Sequence, residues 1–184
     1  RYIQFAAANQ FYMIADSYGV DFNELRKTMV DGYGRNAGLP SAGFAAGPCL
    51  LKDTMQLAAF NNNSFTLGHA AMAINEGLPN FIVEQLSRRR SLQDVKVGIL
   101  GMAFKADIDD IRDSLSYKLG KVLRFQGADV LYSDEFATDP TFISKEQLVD
   151  RAEVVIVGVP HSAYKSLAIP AGKDVLDVWG VLSK

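Results

Sequence analysis

The stretch Val95-Lys96-Val97-Gly98-Ile99-Leu100-Gly101 decides the fold of this 184-residue chain. A short apolar run that ends in a glycine is typical of a buried parallel strand followed by a tight turn. Helical and strand-like segments alternate after it: a helix at 114–125, a strand at 128–132, a short helix at 146–151, and strands at 154–159 and 175–179. Strands separated by helices pair in parallel through right-handed crossovers. The second half is therefore predicted to be a Rossmann-like, open, doubly wound α/β domain.

The sequence before this stretch has the apolar spacing of helices. A helix is predicted over 2–18 and stopped by Gly19, and Asp21 with Glu24 predicts the start of a second helix that runs to about Val30. Two more helices are predicted at 50–60 and 65–90, with a turn and cap at 61–64 between them and a kink caused by Pro79. We therefore expect an α/β protein with a helical dimerisation domain at 1–92 and a Rossmann-like domain at 93–184. The first helix begins without a capping side chain, so the chain is expected to be a piece of a longer protein.

Composition excludes several classes of protein. The chain has 19 basic and 21 acidic side chains, a formal charge of −2 and 48% apolar residues, which excludes disorder and gives no basic face for nucleic acid. No apolar run reaches the roughly 20 residues that cross a membrane, and no secretory signal opens the chain. The single cysteine, Cys49, rules out an intrachain disulfide and fits a reducing cytosol, so a cytoplasmic protein is expected.

The long Gly/Pro-rich loop at 32–48 is the first candidate site, because an ordered loop of this length is usually functional. Cys49 follows it at the predicted start of a helix, where the helix dipole favours a thiolate, and Lys52 adds positive charge one turn later. Asp53 completes a tight group with these two residues. The alternative for Cys49 is a small buried apolar side chain.

The turn after the first strand, at 98–105, is a weak dinucleotide motif because only Gly98 and Gly101 of the usual three glycines are present. No acidic residue stands clearly at the ribose position after the second strand. Lys105 could meet anionic oxygens, so a phosphate-bearing ligand and a plain structural turn both stay open. No metal site is predicted: the acidic stretch 107–114 lacks the glycine and glutamate of a calcium loop, and His69 and His161 have no metal-ligand spacing.

Three segments together resemble one family. They are Gly43-Phe44-Ala45-Ala46-Gly47-Pro48-Cys49-Leu50-Leu51-Lys52-Asp53-Thr54, Leu100-Gly101-Met102-Ala103-Phe104-Lys105 and Asp109-Asp110-Ile111-Arg112-Asp113-Ser114. In this order they are similar to the UDP-glucose/GDP-mannose dehydrogenase family. The resemblance covers the chain as that family's central dimerisation domain and C-terminal nucleotide-sugar domain, without its N-terminal NAD-binding domain.

The resemblance implies a mechanism in which a first hydride transfer oxidises the sugar CH2OH to an aldehyde, a cysteine attacks the aldehyde, a second hydride transfer gives a thioester, and hydrolysis releases a uronic acid. Two NAD are consumed per sugar. It implies that Cys49 is the nucleophile. It implies that Asp53 orients or activates the hydrolytic water, and that Lys52 acts beside the cysteine and near the cofactor. Without the missing domain, the chain is expected to be inactive by itself.

The resemblance also implies a binding role for residues beyond the cysteine. Arg112 matches an arginine that touches NAD, and Phe104 and Lys105 match residues that hold the nucleotide sugar. Gly43 and Phe44 line the sugar through their backbone. Arg35 matches an arginine that reaches the substrate of the other subunit in a homodimer.

The loop has six steps from Gly43 to Cys49 where the family has five, and this variant loop and the residues at 75–79 suggest a modified, N-acetylated or amino, UDP-sugar. Apolar faces on the first and the long helix predict a homodimer, since the helical domain is too small to cover them alone. Two rival hypotheses stay open. One is a non-catalytic dimerisation and nucleotide-binding module with an inert Cys49, and the other is an unrelated α/β nucleotide-binding domain with a helical partner.

Overall fold

The first part of the chain folds as four helices, which we call the helical region. The computed structural model describes residues 1–182. The helices are α1 (Tyr2–Ser17), α2 (Phe22–Val30), α3 (Leu50–Phe60) and α4 (Thr66–Arg89), with a 3₁₀ turn at Gly34–Asn36. None of the helices in the described part of the chain is long and apolar enough to span a bilayer.

Local sequence signals set most of these helix ends. Gly19 follows α1 with φ of +68°, a conformation that glycine adopts without strain. The Asp21 carboxylate accepts hydrogen bonds from the backbone N–H groups of Asn23 and Glu24 and so caps α2 as predicted. The predicted cap of α4 was wrong, because Phe65 and not a residue of 61–64 occupies the cap position. Helix α4 continues through Pro79 as one helix.

The second part, which we call the sheet region, forms a four-stranded parallel sheet. The strands are β1 (Lys96–Leu100), β2 (Asp129–Ser133), β3 (Val154–Val157) and β4 (Asp174–Leu176), in the order β2-β1-β3-β4. Helices α5 (Leu115–Phe125) and α6 (Lys145–Arg151) connect them. Every pairing is parallel, with Val97 opposite Val130 in β2 and opposite Val154 in β3. The predicted α/β class and parallel sheet are confirmed, although the fourth strand ends at Leu176, three residues before its predicted end.

Helices cover both faces of the sheet, as a doubly wound fold requires. Leu119 of α5 packs with Val97 and Ile99 on one face. Leu148 of α6 packs with Leu100 on the other face. In the order β2-β1-β3-β4, the chain turns to one side of β1 to form β2 and to the other side to form β3 and β4. The turns that follow β1 and β3 lie side by side at the carboxyl edge of the sheet.

A single apolar cluster joins the two regions. Tyr12 and Phe22 of the helical region belong to the same buried cluster as Val97 and Leu119 of the sheet region. Helix α4 also lies against α5. The loop before Cys49 and the turn after β1 are consequently held in fixed positions relative to each other.

Candidate active site

The loop that leads to Cys49 is anchored at two glycines whose backbones lie against aromatic rings. Gly43 has φ of +146°, and a Cβ built there would lie 2.3 Å from the Trp179 ring. Gly47 has φ of +104°, and its Cβ would lie 2.6 Å from the Phe104 ring. No L side chain fits these approaches without displacing a ring, so glycine at both positions brings the loop directly onto the sheet region.

A cavity of about 360 Å³, which we call the cysteine cavity, opens beside this loop. Its lining residues are mostly apolar, and they come from both regions of the chain. They are Arg1, Phe5, residues 44–50, residues 104–106, Pro160 and Trp179. The structure thus brings together four sequence-predicted site residues, Phe44, Cys49, Phe104 and Lys105. The cavity offers aromatic surface for a flat ring and two cationic side chains for an anion.

Cys49 occupies the N-cap position of α3 with its side chain exposed. Its carbonyl accepts the first hydrogen bond of the helix, from the N–H of Asp53 at 2.8 Å. The side chains of Lys52 and Asp53 are both exposed and form an ion pair, with Nζ and Oδ1 3.4 Å apart. The predicted cysteine at a helix start is confirmed, and the thiol is open to a reagent or ligand rather than buried.

A larger cavity of about 600 Å³, which we call the lysine cavity, lies on the other side of the same loop. Its lining residues are residues 45–48, Leu51, Lys52, Glu76, Ile111, residues 113–115, Tyr117, Lys118 and Lys121. Lys118 Nζ donates to the backbone carbonyl of Glu76 at 2.5 Å and lies 3.6 Å from the Glu76 carboxylate. Residues 45–48 form the wall between the two cavities.

Arg112 is exposed and held by its neighbour Asp110. Its Nη2 and Nε donate to the Asp110 carboxylate at 2.6 and 3.0 Å. These hydrogen bonds raise the pKa of Arg112 and hold the pKa of Asp110 below its usual range. A smaller coulombic interaction with Cys49 also raises the pKa of Arg112, so the guanidinium lies within electrostatic range of Cys49.

Four sequence-predicted site residues, Arg35, Gly43, Asp53 and Arg112, line neither of these two cavities. Arg35 is exposed in the 3₁₀ turn at Gly34–Asn36. Gly43 lies behind the wall of the cysteine cavity, against Trp179. Of the predicted residues, Lys52 alone lines the lysine cavity without lining the cysteine cavity.

The turn after β1 is closed by a buried carboxylate. Asp134 follows β2 directly, and its Oδ2 accepts hydrogen bonds from the backbone N–H groups of Met102 and Ala103 at 2.6 and 2.9 Å. An acidic residue therefore does stand after the second strand, because that strand ends at Ser133, one residue beyond its predicted end at Tyr132. These amides are the groups that a dinucleotide phosphate would use at such a turn. Because Asp134 occupies them, this turn does not offer them to a ligand.

His161 completes this buried group. Its Nε2 lies 3.0 Å from Asp134 Oδ2, and its Nδ1 accepts a hydrogen bond from the backbone N–H of Asp107 at 2.9 Å. A ring whose Nδ1 accepts carries its proton on Nε2 when neutral, so the proton points at Asp134. Burial alone would raise the pKa of Asp134, but hydrogen bonds from His161 and from four backbone N–H groups hold it well below its usual range. His161 is fully buried and has a structural role in holding this turn.

Sequence reasoning missed Trp179, Pro160 and Phe5 as cavity residues, and it missed a buried amide group. Asn9 of α1 is fully buried and bonds both backbone groups of Gly43, and Asn75 of α4 is buried beside it. A polar residue in an otherwise apolar helical pattern was the available signal for Asn9. Trp179 gave no comparable signal, because it was assigned to a strand.

Comparison with known proteins agrees with this architecture. Residues 98–184 match the family model described as UDP-glucose/GDP-mannose dehydrogenase family, UDP binding domain. A UDP-N-acetyl-D-mannosamine dehydrogenase from Pyrococcus horikoshii is 28% identical over 172 residues, which is 91% of this chain and 41% of that protein. A UDP-glucose 6-dehydrogenase from Haloferax volcanii is 34% identical over 140 residues, 72% of this chain and 32% of that protein. The solved structure of the UDP-D-ManNAc dehydrogenase from Pyrococcus horikoshii matches all of this chain and 46% of its own, with a TM-score of 0.84 and 26% identity.

The fold and the match define the class: the architecture is that of the nucleotide-sugar dehydrogenases, and the sheet region matches the domain that their family model describes as UDP binding. Residues 98–184 belong to the UDP-binding domain of the UDP-glucose/GDP-mannose dehydrogenase family, and the resemblance stated from the sequence is confirmed. The chain spans less than half the length of these relatives.

Proposed function

We propose that this chain is the nucleophile-bearing and substrate-binding part of an NAD-dependent nucleotide-sugar 6-dehydrogenase. The observation that supports it most directly is the cysteine cavity, where the exposed Cys49 shares one pocket with Phe104 and Lys105. The relatives named above act on UDP-sugars by their names, and one family member from Pseudomonas putida is named GDP-mannose 6-dehydrogenase. The division into domains at 1–92 and 93–184 is part of this proposal.

In this proposal the cysteine cavity holds the nucleotide sugar. Phe104 offers a ring face for the base, and Lys105 and Arg1 supply positive charge for the diphosphate. Phe44 and the backbone of residues 45–47 line the sugar, and Gly43 supports them from behind, against Trp179. The sugar C6 then lies toward Cys49, which follows this wall at the start of α3. A modified UDP-sugar remains the proposed subclass, although Asn75 lies in the buried amide group and lines neither cavity.

Cys49 carries the covalent steps. Its thiolate adds to the C6 aldehyde and forms a thiohemiacetal, with the proton from solvent or a nearby acid going to the oxygen. The aldehyde arises from the C6 alcohol by loss of a first hydride, which NAD would accept, and of a proton to solvent. Loss of a second hydride from C6, which a second NAD would accept, and of the hydroxyl proton then leaves a thioester. Water then attacks the thioester carbonyl, Cys49 leaves as thiolate, and a carboxylate remains. Asp53, one turn along α3, is the proposed base that orients this water.

NAD supplies the hydride acceptor when bound, and the residues present fit only its outer part. Arg112 is exposed and Lys52 lines the lysine cavity, so both can meet a pyrophosphate. The turn after β1 does not fit the cofactor because Asp134 already occupies the Met102 and Ala103 amides. We therefore propose that the nicotinamide is held by a part of the protein outside this chain, which spans less than half the length of its relatives.

A homodimer is proposed through the helical region. A groove of about 320 Å³ on α1 and α2 is almost wholly apolar, with Phe11, Ile14 and Tyr18 among its exposed side chains. The long helix α4 was also expected to contribute an apolar face to the dimer interface. Among the described residues of α4, the exposed large apolar side chain is Leu67. Arg35 is exposed and lines neither cavity of its own chain, as expected of a residue given to another subunit. Sedimentation at high micromolar concentration should show a dimer, and a monomer would contradict this part of the proposal.

The test of the proposed site uses the only thiol of the chain. UDP-glucose, UDP-N-acetylhexosamines, GDP-mannose and NAD are titrated calorimetrically, and the iodoacetamide alkylation rate of Cys49 is measured with and without each. A UDP-sugar should bind and slow alkylation, whereas NAD alone should not protect the thiol. The chain by itself should form no NADH, because the nicotinamide is proposed to be held by a part of the protein outside this chain. An unreactive Cys49 that no nucleotide sugar protects would favour the non-catalytic module instead.

A further inference from the structure

A buried pair of side-chain amides holds the loop before Cys49 through hydrogen bonds. Asn9 and Asn75 lie on α1 and α4, and both are fully buried. Asn9 Nδ2 donates to the Gly43 carbonyl at 3.0 Å, and Asn9 Oδ1 accepts from the Gly43 N–H at 2.8 Å. One side chain therefore hydrogen-bonds both backbone groups of Gly43, which lies two residues before the wall of residues 45–48.

Asn75 fixes which way the Asn9 amide points. Asn75 Oδ1 accepts the second N–H of Asn9 at 2.9 Å, and Asn75 Nδ2 donates to the Tyr2 carbonyl at 3.0 Å. Turning the Asn9 amide over would place donor against donor at Gly43 and acceptor against acceptor at Asn75. The pair has one fully satisfied arrangement, so it defines one position for Gly43.

The sheet region holds the same loop from the opposite side. The Trp179 ring lies against Gly43, and its Nε1 donates to the Gly158 carbonyl at 3.0 Å. At the far end of the wall, Gly47 lies against the Phe104 ring. Residues 44–46 are thus stretched between two fixed points, and Cys49 follows two residues after the second one.

We propose that Asn9, oriented by Asn75, is a positioning residue that sets where Cys49 lies relative to a nucleotide sugar held by Phe104 and Lys105. This inference rests on the proposed function. Asn9 lines neither cavity, so its effect passes through Gly43 and the wall of residues 45–48. Neither side chain of the pair is ionisable.

The test compares Asn9→Ala with Leu123→Ala, a control that opens space in the α5 core while leaving the loop untouched. A trifluoroacetonyl label on Cys49 reports the position of the loop by ¹⁹F NMR without any ligand. The unsubstituted chain and Leu123→Ala should each give one narrow line at the same shift, whereas Asn9→Ala should give a shifted or broadened signal. A line unchanged by Asn9→Ala would overturn the proposal, whether or not a ligand binds.

A second readout uses protection of Cys49 from iodoacetamide by UDP-glucose and by UDP alone. Asn9→Ala should reduce protection by the UDP-sugar roughly tenfold, the factor of one lost hydrogen bond of ordinary net strength. Calorimetric affinity for UDP alone should stay within about twofold, because Phe104 and Lys105 are intact. Leu123→Ala should lower the melting temperature without changing either value. Equal protection in Asn9→Ala and the unsubstituted chain would refute the positioning role and leave the proposed function standing.

Asn75→Ala serves where Asn9→Ala does not fold, since it leaves both Asn9–Gly43 bonds in place and removes only their orienting partner. It should move the ¹⁹F signal and the protection in the same direction by a smaller amount. No change from Asn75→Ala in either readout would overturn the orienting role. Absence of protection by every UDP-sugar in the unsubstituted chain would count against the proposed function, and the ¹⁹F comparison would still decide the positioning role.

Discussion

Two buried polar groups hold the two loops that meet at the cysteine cavity, and their chemistry differs. In the helical region, Asn9 and Asn75 hold Gly43 through neutral amide hydrogen bonds. In the sheet region, the Asp134 carboxylate holds the turn after β1 and pairs with His161. A neutral network keeps its hydrogen bonds across pH, whereas a carboxylate network depends on its charge. The two loops at this cavity should therefore lose the hydrogen bonds that hold them under different conditions.

The largest effect should come from removing the carboxylate. Asp134→Ala leaves His161 and several buried backbone N–H groups without their acceptor, so we expect a loss of about 3–5 kcal/mol in the free energy of unfolding. Urea unfolding measures it. Asp129→Ala in β2 is the matched control, because Asp129 is exposed, and it should change stability far less. A loss below about 1 kcal/mol in Asp134→Ala would show that the charged network contributes no more than an ordinary hydrogen bond.

Acid should reproduce part of that loss, because protonation removes the charge but keeps the packing. The pKa of Asp134 is lower in the folded chain than its ordinary value of 3.8, so its stabilisation is present above that value and is lost as the pH falls below it. Urea unfolding at pH 7, 5 and 3 should show the decline mainly below roughly pH 5. Asp134→Asn should flatten this dependence, and Asn9→Ala should leave it unchanged. An equal slope in Asp134→Asn and the unsubstituted chain would assign the acid sensitivity to other carboxylates.

A smaller effect is expected where the neutral network meets Trp179. Gly43→Ala places a Cβ 2.3 Å from the ring and requires a positive φ, so we expect a loss of about 1–3 kcal/mol. Gly38→Ala is the control, since a Cβ there meets nothing within 4 Å. Both are measured by thermal and urea unfolding. Equal stabilities of the two variants would mean that Trp179 moves away at no cost and does not fix the loop.

The smallest effect should come from the exposed ion pair beside the cysteine. Asp53→Asn breaks the Lys52–Asp53 pair, whose side chains are both largely exposed, so stability should change by less than about 1 kcal/mol. The unfolding curve of Asp53→Asn should thus overlay that of the unsubstituted chain. A larger loss would indicate that Asp53 supports the fold, which would weaken its proposed role with water.

The elements of this fold could be predicted from local patterns, because each depends on neighbours in sequence. The apolar run before Gly101 predicted β1, and Asp21 predicted the start of α2. The residues that hold the site could not be predicted in the same way. Asn9 meets Gly43 and Asn75 across 34 and 66 residues of chain, and no local pattern encodes such a contact. Asp134 was missed because the predicted strand ended at Tyr132, which left Ser133 between that strand and the carboxylate. In the structure the strand ends at Ser133, and Asp134 follows it directly.

The same contrast applies to the candidate site. Cys49, Phe104 and Lys105 were named through the family resemblance, and the structure places them in one cavity. Trp179 was missed because its apolar neighbours favoured a strand, whereas the chain leaves the sheet after Leu176. The Trp179 ring packs against the backbone of Gly43, and this contact forms only when the two distant segments come together in the folded chain.

The wall of residues 45–48 faces the cysteine cavity on one side and the lysine cavity on the other. A ligand that pushes this wall outward from one cavity takes room from the other. Because Gly43 and Gly47 hold the loop against the Trp179 and Phe104 rings, the wall does not move freely in either direction. Four residues of backbone thus act as a partition that lets a nucleotide sugar on one side and a cofactor pyrophosphate on the other be bound at the same time, as the proposed chemistry requires.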